Sequence, residues 1–462
     1  MPETRIDMAI YVNRILNMKH IKAIGFDMDH TLVRYYSDVF EELTFNETIK
    51  KLVSELGYPL EIESFEFDFL KAARGLVVDK EYGNIIKVSL YNKIKNAYHG
   101  GRELTYREQQ RIYKGSSVDL GEERYLSIDT AFSIAFTVVF AQLVDLKDKK
   151  PGLDLPPYPE IAEDIIKSVD MAHRDGSLKD RVVKDLGKYV IKDPQTVEAL
   201  ERFKRYGKKL WIITNSDYKY TRALLDHTIT PFLKEHKHWS ELFELTVTLA
   251  AKPRFFTEKL PFLKVDAESG MMENWDKRVE SGIFQGGYAI KLQADQKLKG
   301  DEILYLGDHI YGDILRLKKT CDWRTALVIE ELDKEVAAYK NTKEHSVEID
   351  RLMALKVKLE HEIDELYAKE HEFGEDVSKD EVMSKFDDIE KLDKQIGKQI
   401  KLYEKHFNPY WGEVMRAGAE PSSFASQIER YACIYMTKIA DFNGYNPRHY
   451  YRPKKRKMAH EM

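Results

Sequence analysis

The fold class is predicted chiefly from one stretch of the sequence, Ile21-Lys22-Ala23-Ile24-Gly25-Phe26-Asp27-Met28-Asp29-His30-Thr31. Its first six residues are mostly apolar and predict a buried strand, and two carboxylates follow directly. Because side chains two apart in an extended chain point to the same side, Asp27 and Asp29 would share one crevice at the carboxyl edge of a sheet. Ligands bind in this crevice in open α/β sheets. On its own, however, the pentapeptide Asp27 to Thr31 is typical of a turn.

Three later segments have the same form, in which an apolar strand is followed by polar residues. Residues 210–216 end in Thr-Asn-Ser, residues 243–250 are followed by Lys252, and residues 303–313 read Ile-Leu-Tyr-Leu-Gly-Asp-His-Ile-Tyr-Gly-Asp. Taken singly, Lys252 is typical of a solvated lysine and Asp308 of a turn. The set in this order favours strands whose ends meet at one functional site.

Together the four segments supply the groups that phosphoryl transfer through an aspartyl-phosphate requires. One carboxylate attacks phosphorus, a second moves the proton, and a hydroxyl and a lysine hold the non-bridging oxygens. Several converging carboxylates would repel one another, so the set implies a hard divalent cation, most simply Mg²⁺. The arrangement resembles the haloacid dehalogenase superfamily of phosphatases. That resemblance implies an α/β fold with a Rossmann-like parallel sheet core, a large inserted cap and, after it, a C-terminal helical hairpin.

Length and composition restrict the class of protein further. A chain of 462 residues favours two domains or a core with large insertions. A net charge of −5 argues against a nucleic-acid binder. Two cysteines, Cys321 and Cys433, have no metal-ligand spacing and suit a reduced cytoplasmic setting. The apolar stretch 131–144 is too short to span a bilayer and predicts a buried helix, so no membrane association is expected.

The pattern along the chain predicts four segments. Residues 1–35 and 191–330 would form the catalytic core, and 36–190 an inserted cap that governs substrate specificity. Residues 331–447 would form a helical hairpin and a C-terminal segment packing on the core, because apolar residues recur there at helical spacing on both sides of the turn at 373–376. The hairpin is either a structural arm or an oligomer contact, and we expect a homo-oligomer. Residues 448–462 form a basic tail, which favours a solvated segment.

The flanks of the motifs resemble the cytosolic purine 5′-nucleotidases over nearly the whole chain. The stretches that carry the resemblance are Gly25 to Asp29, Arg74 to Val77, Tyr82 to Asn84, Thr214 to Thr221, Lys252-Pro253 with Phe255-Phe256, Gly307 to Leu315, Phe424 to Gln427 and Arg430 to Ala432. The resemblance implies hydrolysis of purine nucleoside 5′-monophosphates, with IMP and GMP preferred. It also implies a nucleotide effector, whose site we do not place.

Catalytic roles follow from the resemblance by matching motifs. It implies that Asp27 is the nucleophile and Asp29 the general acid and base, while Thr214 and Lys252 contact the phosphoryl group. It also implies that Mg²⁺ is held by Asp27, the backbone carbonyl of Asp29, and Asp308.

Supporting and base-binding residues follow in the same way. The resemblance implies that Asp313 orients Lys252, that Asn215 and Ser216 line the phosphate site, and that the base is contacted by Phe132, Asp170 and His173. The chain departs from vertebrate members at Ile166 and Arg174, which leaves the base preference open. Packing of Phe132 in the core is an equally good interpretation of that residue.

Two other functions stay open at this point. One is a haloacid dehalogenase-type phosphatase that acts on another phosphomonoester, such as a sugar phosphate. The other is a nucleotide-sensing protein with a vestigial site. Every catalytic position carries a residue able to perform its role, which argues against this second function.

Overall fold

The protein forms two compact units. In its computed structural model, residues 10–114 and 118–454 are described. Residues Glu331–Glu413 form one unit, and the chain before and after them forms the other. The end of the predicted basic tail, from Lys455 onward, lies outside the described residues.

A ten-stranded sheet is the centre of the first unit. Within the described residues, a run of neighbouring strands is parallel; in order across the sheet these strands are Ile434–Met436, Arg324–Val328, Ile303–Gly307, Ala23–Phe26, Lys209–Ile213, Leu245–Thr248 and Gly282–Gly286. Antiparallel strands complete the two edges: Ile10–Val12 at one, and Phe262–Val265 with Met272–Trp275 at the other. The predicted α/β class with a parallel core is confirmed.

Both faces of this sheet are buried at its centre, because alternate residues of the central strands enter different apolar cores. Along Lys209–Ile213, Leu210 and Ile212 belong to one core, while Trp211 and Ile213 belong to the other. Strands buried on both sides read as continuous apolar runs, which is the pattern seen in the sequence. Helices of this core are Pro194–Arg205, Tyr218–Thr228, Trp239–Leu242, Arg254–Thr257, Ala289–Asp295, Arg316–Thr320 and Ser423–Tyr431, with a π-helical turn over Ile310–Leu315.

The predicted inserted cap is present between two short strands that form its stalk. These are Arg34–Tyr35 and Val190–Ile191, which pair antiparallel. The cap contains a five-stranded antiparallel sheet with the strand order Arg102–Glu103, Ile94–His99, Asn84–Val88, Leu76–Asp79 and Tyr125–Ile128. Its helices are Ser37–Leu56, Tyr106–Tyr113, Ile134–Lys149, Tyr158–Arg174, Lys179–Lys184 and Leu186–Tyr189.

The apolar stretch near residue 134 is a buried helix, as predicted. Ile134–Lys149 packs against Ser37–Leu56 and Tyr158–Arg174 and buries most of its first eleven residues. Every helix in the described part of the chain is too short or too polar to traverse a lipid bilayer.

The C-terminal segment belongs to the first unit. The sequence grouped residues 331–447 together, but the structure returns to the first unit at Val414. Ile434–Met436 is a parallel neighbour of Arg324–Val328 in the central sheet, so this segment completes the core. The helix Ser423–Tyr431 also places Phe424 against the start of the cap sheet at Gly75.

Gly75 is a close-contact position whose replacement should destabilise the first unit. It adopts φ +86°, and a Cβ there would lie 2.6 Å from Cβ of Phe424. We expect Gly75→Ala to lower the free energy of unfolding by about 1–3 kcal/mol, measured as a shift of the denaturation midpoint. Gly152→Ala is the control, since no atom lies within 4 Å of a Cβ there. Equal midpoints for the two variants would contradict the expectation.

The second unit contains the predicted helical hairpin. The helices of this unit are Glu331–Asn341, Lys343–Phe373 and Lys379–Glu404. The last two form the hairpin, and Gly374, at φ +68°, ends the first of these two. The long helices are linked by ion pairs from Lys385 to Glu362, 2.6 Å, and from Lys356 to Asp393, 2.7 Å. The assignment of the hairpin to an oligomer contact stays a prediction.

Candidate active site

The four motifs that the sequence singled out end at one edge of the sheet. Ile303–Gly307, Ala23–Phe26, Lys209–Ile213 and Leu245–Thr248 are consecutive parallel neighbours. Carboxyl ends of parallel strands meet at the same edge, so the polar residues after each strand face one crevice.

Asp27 stands at the centre of this edge. Its backbone N–H donates to the Leu306 carbonyl at 2.8 Å, and its Oδ1 accepts from the Met28 N–H at 2.7 Å. Lys252 Nζ lies 2.8 Å from the same Oδ1. Burial raises the pKa of Asp27 well above its ordinary value, and the charge of Lys252 opposes this effect. The lysine is thus the cation that favours an ionised Asp27.

Lys252 is a buried cation held from two sides. Its Nζ is 2.7 Å from Oδ1 of Asp313 and donates to the Tyr305 hydroxyl at 3.1 Å. Its backbone is gripped by the Asn215 side chain, whose Oδ1 accepts from Lys252 N–H at 2.6 Å and whose Nδ2 donates to the Lys252 carbonyl at 3.1 Å. Burial alone would lower the pKa of Lys252, but the charges of Asp27 and Asp313 outweigh it and raise that pKa.

Three carboxylates form a compact acidic group. Oxygens of Asp27, Asp308 and Asp313 lie within 4.8 Å of one another. Asp308 Oδ2 accepts from Thr130 Oγ1 at 3.3 Å, and its backbone carbonyl accepts from Arg74 at 3.1 Å. Burial raises the pKa of Asp308, and the charge of Asp313 raises it further. Crowded buried carboxylates of this kind fit a hard divalent cation with oxygen ligands, such as Mg²⁺.

The carboxylate of Asp29 is engaged elsewhere. Its Oδ1 accepts from the Tyr35 hydroxyl at 2.5 Å and its Oδ2 from Ser216 Oγ at 2.8 Å. The third carboxylate of the acidic group is therefore Asp313, and Asp29 is left for a different role. Thr214 is fully buried and its hydroxyl accepts from Ser216 N–H at 3.0 Å. In this arrangement the Thr214 side chain stabilises the loop that follows the strand Lys209–Ile213.

A cavity of about 970 Å³ connects the strand ends to the cap. Asp27, Asp29, Lys252 and Asp308 of the core line it. The cap contributes the residues predicted to meet the base and the two departures from the vertebrate members; these are Phe132, Ile166, Asp170, His173 and Arg174. The structure thus brings every predicted site residue to the lining of one cavity except Thr214, which is buried and does not line it.

The His173 side chain lines the cavity and offers one hydrogen-bond acceptor. Its Nδ1 lies 2.9 Å from the Val169 carbonyl, and a carbonyl only accepts, so Nδ1 carries the proton. Burial lowers the pKa of His173, which keeps the ring neutral and leaves Nε2 as an acceptor. The rings of Phe132 and His173 are perpendicular, with 5.9 Å between their centroids.

Sequence reasoning missed several residues of this site, among them Lys179 and Tyr35. Lys179 lines the cavity, pairs with Asp217 at 2.8 Å and lies 5.2 Å over the Tyr220 ring. Tyr35 reaches Asp29 from the stalk of the cap. A lysine after Gly-Ser-Leu and a tyrosine in a strand carry no motif signal, so only their spatial placement identifies them.

A parallel core with these carboxylates and this lysine at its strand ends defines a hydrolase of the haloacid dehalogenase type. Residues 10–462 match the sequence model of the 5′ nucleotidase family. The chain belongs to that family and is a phosphoric monoester hydrolase.

A relative matched by sequence agrees with the family match. A 5′-nucleotidase domain-containing protein of Dictyostelium discoideum is 27% identical over 446 residues, covering 94% of this chain and 72% of the relative. A predicted phosphoglycolate phosphatase of Haemophilus somnus is 13% identical with a TM-score of 0.30, and CbbY of Rhodobacter sphaeroides, in complex with phosphate, is 14% identical with a TM-score of 0.24. Each of these two structures aligns with 67% of this chain and 86% of its own. The family assignment rests on the sequence matches and not on these superpositions.

Proposed function

We propose that this protein hydrolyses purine nucleoside 5′-monophosphates, IMP and GMP, to nucleoside and phosphate through an aspartyl-phosphate on Asp27. The observation that carries the proposal is the single cavity that joins the Asp27 and Lys252 pair to an aromatic and polar wall in the cap. The phosphate would lie at the sheet edge and the base against Phe132.

The chemistry needs two steps at the same phosphorus. In the first, a carboxylate oxygen of Asp27 attacks phosphorus, the bond to O5′ breaks, and protonated Asp29 gives its proton to the leaving O5′. In the second, the Asp29 carboxylate takes a proton from water, whose oxygen attacks phosphorus and releases phosphate and Asp27. Lys252, oriented by Asp313, offsets the negative charge of the phosphoryl oxygens in both steps.

The residues that would hold Mg²⁺ are Asp27 and Asp308, with the backbone carbonyl of Asp29. When bound, the cation would supply positive charge between the nucleophile and the dianionic phosphate. Asp313, already paired with Lys252, would complete the acidic surroundings.

Base preference follows from the donors and acceptors of the cap wall. Asp170 and Nε2 of His173 both accept, which suits the N1–H of a 6-oxopurine. Donors to O6 are supplied by Arg174 or Lys179, both in the cavity wall. Ile166 contributes no donor, and Lys167 is exposed. The amino group and N1 of AMP reverse the donor and acceptor of a 6-oxopurine, which would leave polar atoms unpaired once the base fills the pocket.

We therefore expect kcat/KM for IMP and GMP to exceed that for AMP. Each mismatch costs about 1–3 kcal/mol, or roughly 5- to 150-fold. Asp170→Ala should narrow the gap. Asp170→Asn should narrow it more, because an amide can also donate to the N1 of adenine. Steady-state kinetics on the three nucleotides measures this, and equal values for IMP and AMP in the unmodified protein would refute the pocket assignment alone.

The whole proposal is tested by a phosphate-release screen. The substrates are all nucleoside monophosphates and a panel of sugar phosphates, each with and without Mg²⁺. Preference for a sugar phosphate would favour the other phosphomonoester function, and no release from any substrate would favour a sensing protein. A nucleotide effector, a homo-oligomer and a cytoplasmic location stay predictions from the sequence.

A further inference from the structure

We infer that Tyr35 is a positioning residue that holds the Asp29 carboxylate in the orientation needed for proton transfer to the leaving group. The inference rests on the proposed function, in which Asp29 is the general acid. It goes beyond that function because it gives the stalk of the cap a role in orienting the general acid.

The hydrogen bonds around Asp29 form a directed chain. The Tyr35 hydroxyl donates to Asp29 Oδ1 at 2.5 Å. A tyrosine has one hydroxyl proton, so at the 3.1 Å contact between the two tyrosines the Tyr220 hydroxyl donates to that of Tyr35. Ser216 Oγ donates to the other carboxylate oxygen at 2.8 Å. Both oxygens of Asp29 are thus held, and rotation of the carboxylate would break one of these bonds.

Burial makes this chain a strong constraint. Tyr35 is 2% exposed and Tyr220 is 5% exposed, so water does not readily replace either hydroxyl. Removing the donor from a buried oxygen leaves that oxygen unpaired, which costs more than the same loss at an exposed site. The Tyr35 ring is itself fixed, lying 4.9 Å from the centroids of both His30 and Phe40.

The position of Tyr35 in the fold connects Asp29 to the cap. Tyr35 pairs with Val190 in the two-stranded stalk where the chain enters and leaves the cap. The next residue, Tyr36, donates its N–H to the Tyr189 carbonyl at 2.9 Å. Phe40 lies on the first helix of the cap. The orientation of the acid therefore depends on the stalk being formed, whereas Asp27 is oriented by the sheet itself.

The chemical consequence differs between leaving groups. The alkoxide of a nucleoside is a poor leaving group and needs a proton as the bond to phosphorus breaks. The p-nitrophenolate ion leaves readily without one. A variant that disturbs only the acid should therefore lose activity on IMP and keep it on p-nitrophenyl phosphate. A variant that disturbs the whole site should lose activity on both.

The test is kcat/KM of Tyr35→Phe on these two substrates, because kcat/KM reports the steps up to departure of the leaving group. We expect a loss of about 10-fold or more on IMP, and a loss below about 3-fold on p-nitrophenyl phosphate. Tyr58→Phe is the matched control. Tyr58 is also a buried cap tyrosine that donates to a carboxylate, Asp164, at 3.0 Å, but Asp164, unlike Asp29, does not line the cavity.

A double-variant comparison separates positioning from a general structural role. Asp29→Asn alone should show the same selectivity for leaving group with a larger loss. Adding Tyr35→Phe to Asp29→Asn should then change kcat/KM for IMP little, because both act through one group. Should Tyr35→Phe fail to fold, Tyr220→Phe can be used instead, because it removes the hydroxyl that donates to Tyr35. It should give a smaller loss of kcat/KM on IMP and again little loss on p-nitrophenyl phosphate.

The outcomes distinguish a failure of the Tyr35 role from a failure of the Asp29 role. Equal losses on both substrates in Tyr35→Phe, or its full effect persisting beside Asp29→Asn, would overturn the inference. If Asp29→Asn itself shows no selectivity for leaving group, the acid role in the proposed function fails instead.

Discussion

Asp27→Asn is expected to lower kcat/KM for IMP by several orders of magnitude while the protein stays folded. The amide cannot form the acyl-phosphate, so covalent catalysis is lost. The fold should persist because the amide oxygen can still accept from Met28 N–H, and the backbone bond to Leu306 is unchanged. Lys252 keeps its partner Asp313 at 2.7 Å. Phosphate release gives the rate, and thermal unfolding gives the stability.

Asp68→Asn is a suitable control for this experiment. Asp68 lies in the cap and accepts from Leu70 N–H at 3.0 Å, a bond that the amide oxygen can replace. The control should retain the activity of the unmodified protein. Mass spectrometry of acid-quenched reactions should find a phosphorylated Asp27 peptide in the unmodified protein and in the control. Activity near normal in Asp27→Asn would remove Asp27 from the nucleophile role.

Removal of divalent cations is expected to produce a loss of similar size. An excess of chelator should abolish phosphate release, and Mg²⁺ should restore it. Without the cation, the Asp27 carboxylate would have to approach a phosphate dianion beside Asp308 and Asp313, whose oxygens lie within 4.8 Å of one another and of Asp27. Like charges at such distances in a buried site raise the barrier steeply.

Asp308→Ala should raise the Mg²⁺ concentration that activity requires. Loss of one carboxylate ligand is expected to raise the Mg²⁺ concentration for half-maximal activity by at least about 10-fold. Asp301→Ala, an exposed carboxylate that precedes the same strand, should leave that concentration unchanged. Full activity in excess chelator would rule out the cation, and an unchanged Mg²⁺ titration in Asp308→Ala would rule out Asp308 as a ligand.

The convergence at the strand ends could be predicted from sequence for a simple physical reason. Each motif directly follows an apolar run, and parallel strands that are buried on both faces place their carboxyl ends together. Local sequence therefore contained the long-range information for Asp27, Lys252 and Asp308. The identity of the cap as an insertion followed from the long gap between the first two motifs.

Contacts that depend on pairing between distant segments could not be predicted in this way. The Tyr35 hydroxyl reaches Asp29 only because the strand at Tyr35 pairs with Val190. Similarly, Ile434–Met436 has three residues and no pattern that distinguishes it from a loop, so its place in the sheet depends on Arg324–Val328. The buried position of Thr214 reflects the course of the loop after its strand, which residue types alone do not specify.

The late position of Ile434–Met436 in the chain has a consequence for biosynthesis. Its neighbour Arg324–Val328 is made much earlier, and the second unit is made between them. Until Ile434 has left the ribosome, the nascent sheet ends in an open, apolar edge, which is the kind of surface that attracts other unfinished chains. Ile434 and Met436 are fully buried in the finished protein. A polypeptide whose synthesis stops within the second unit would therefore carry all the strand-end motifs but expose an unpaired sheet edge that is prone to aggregation.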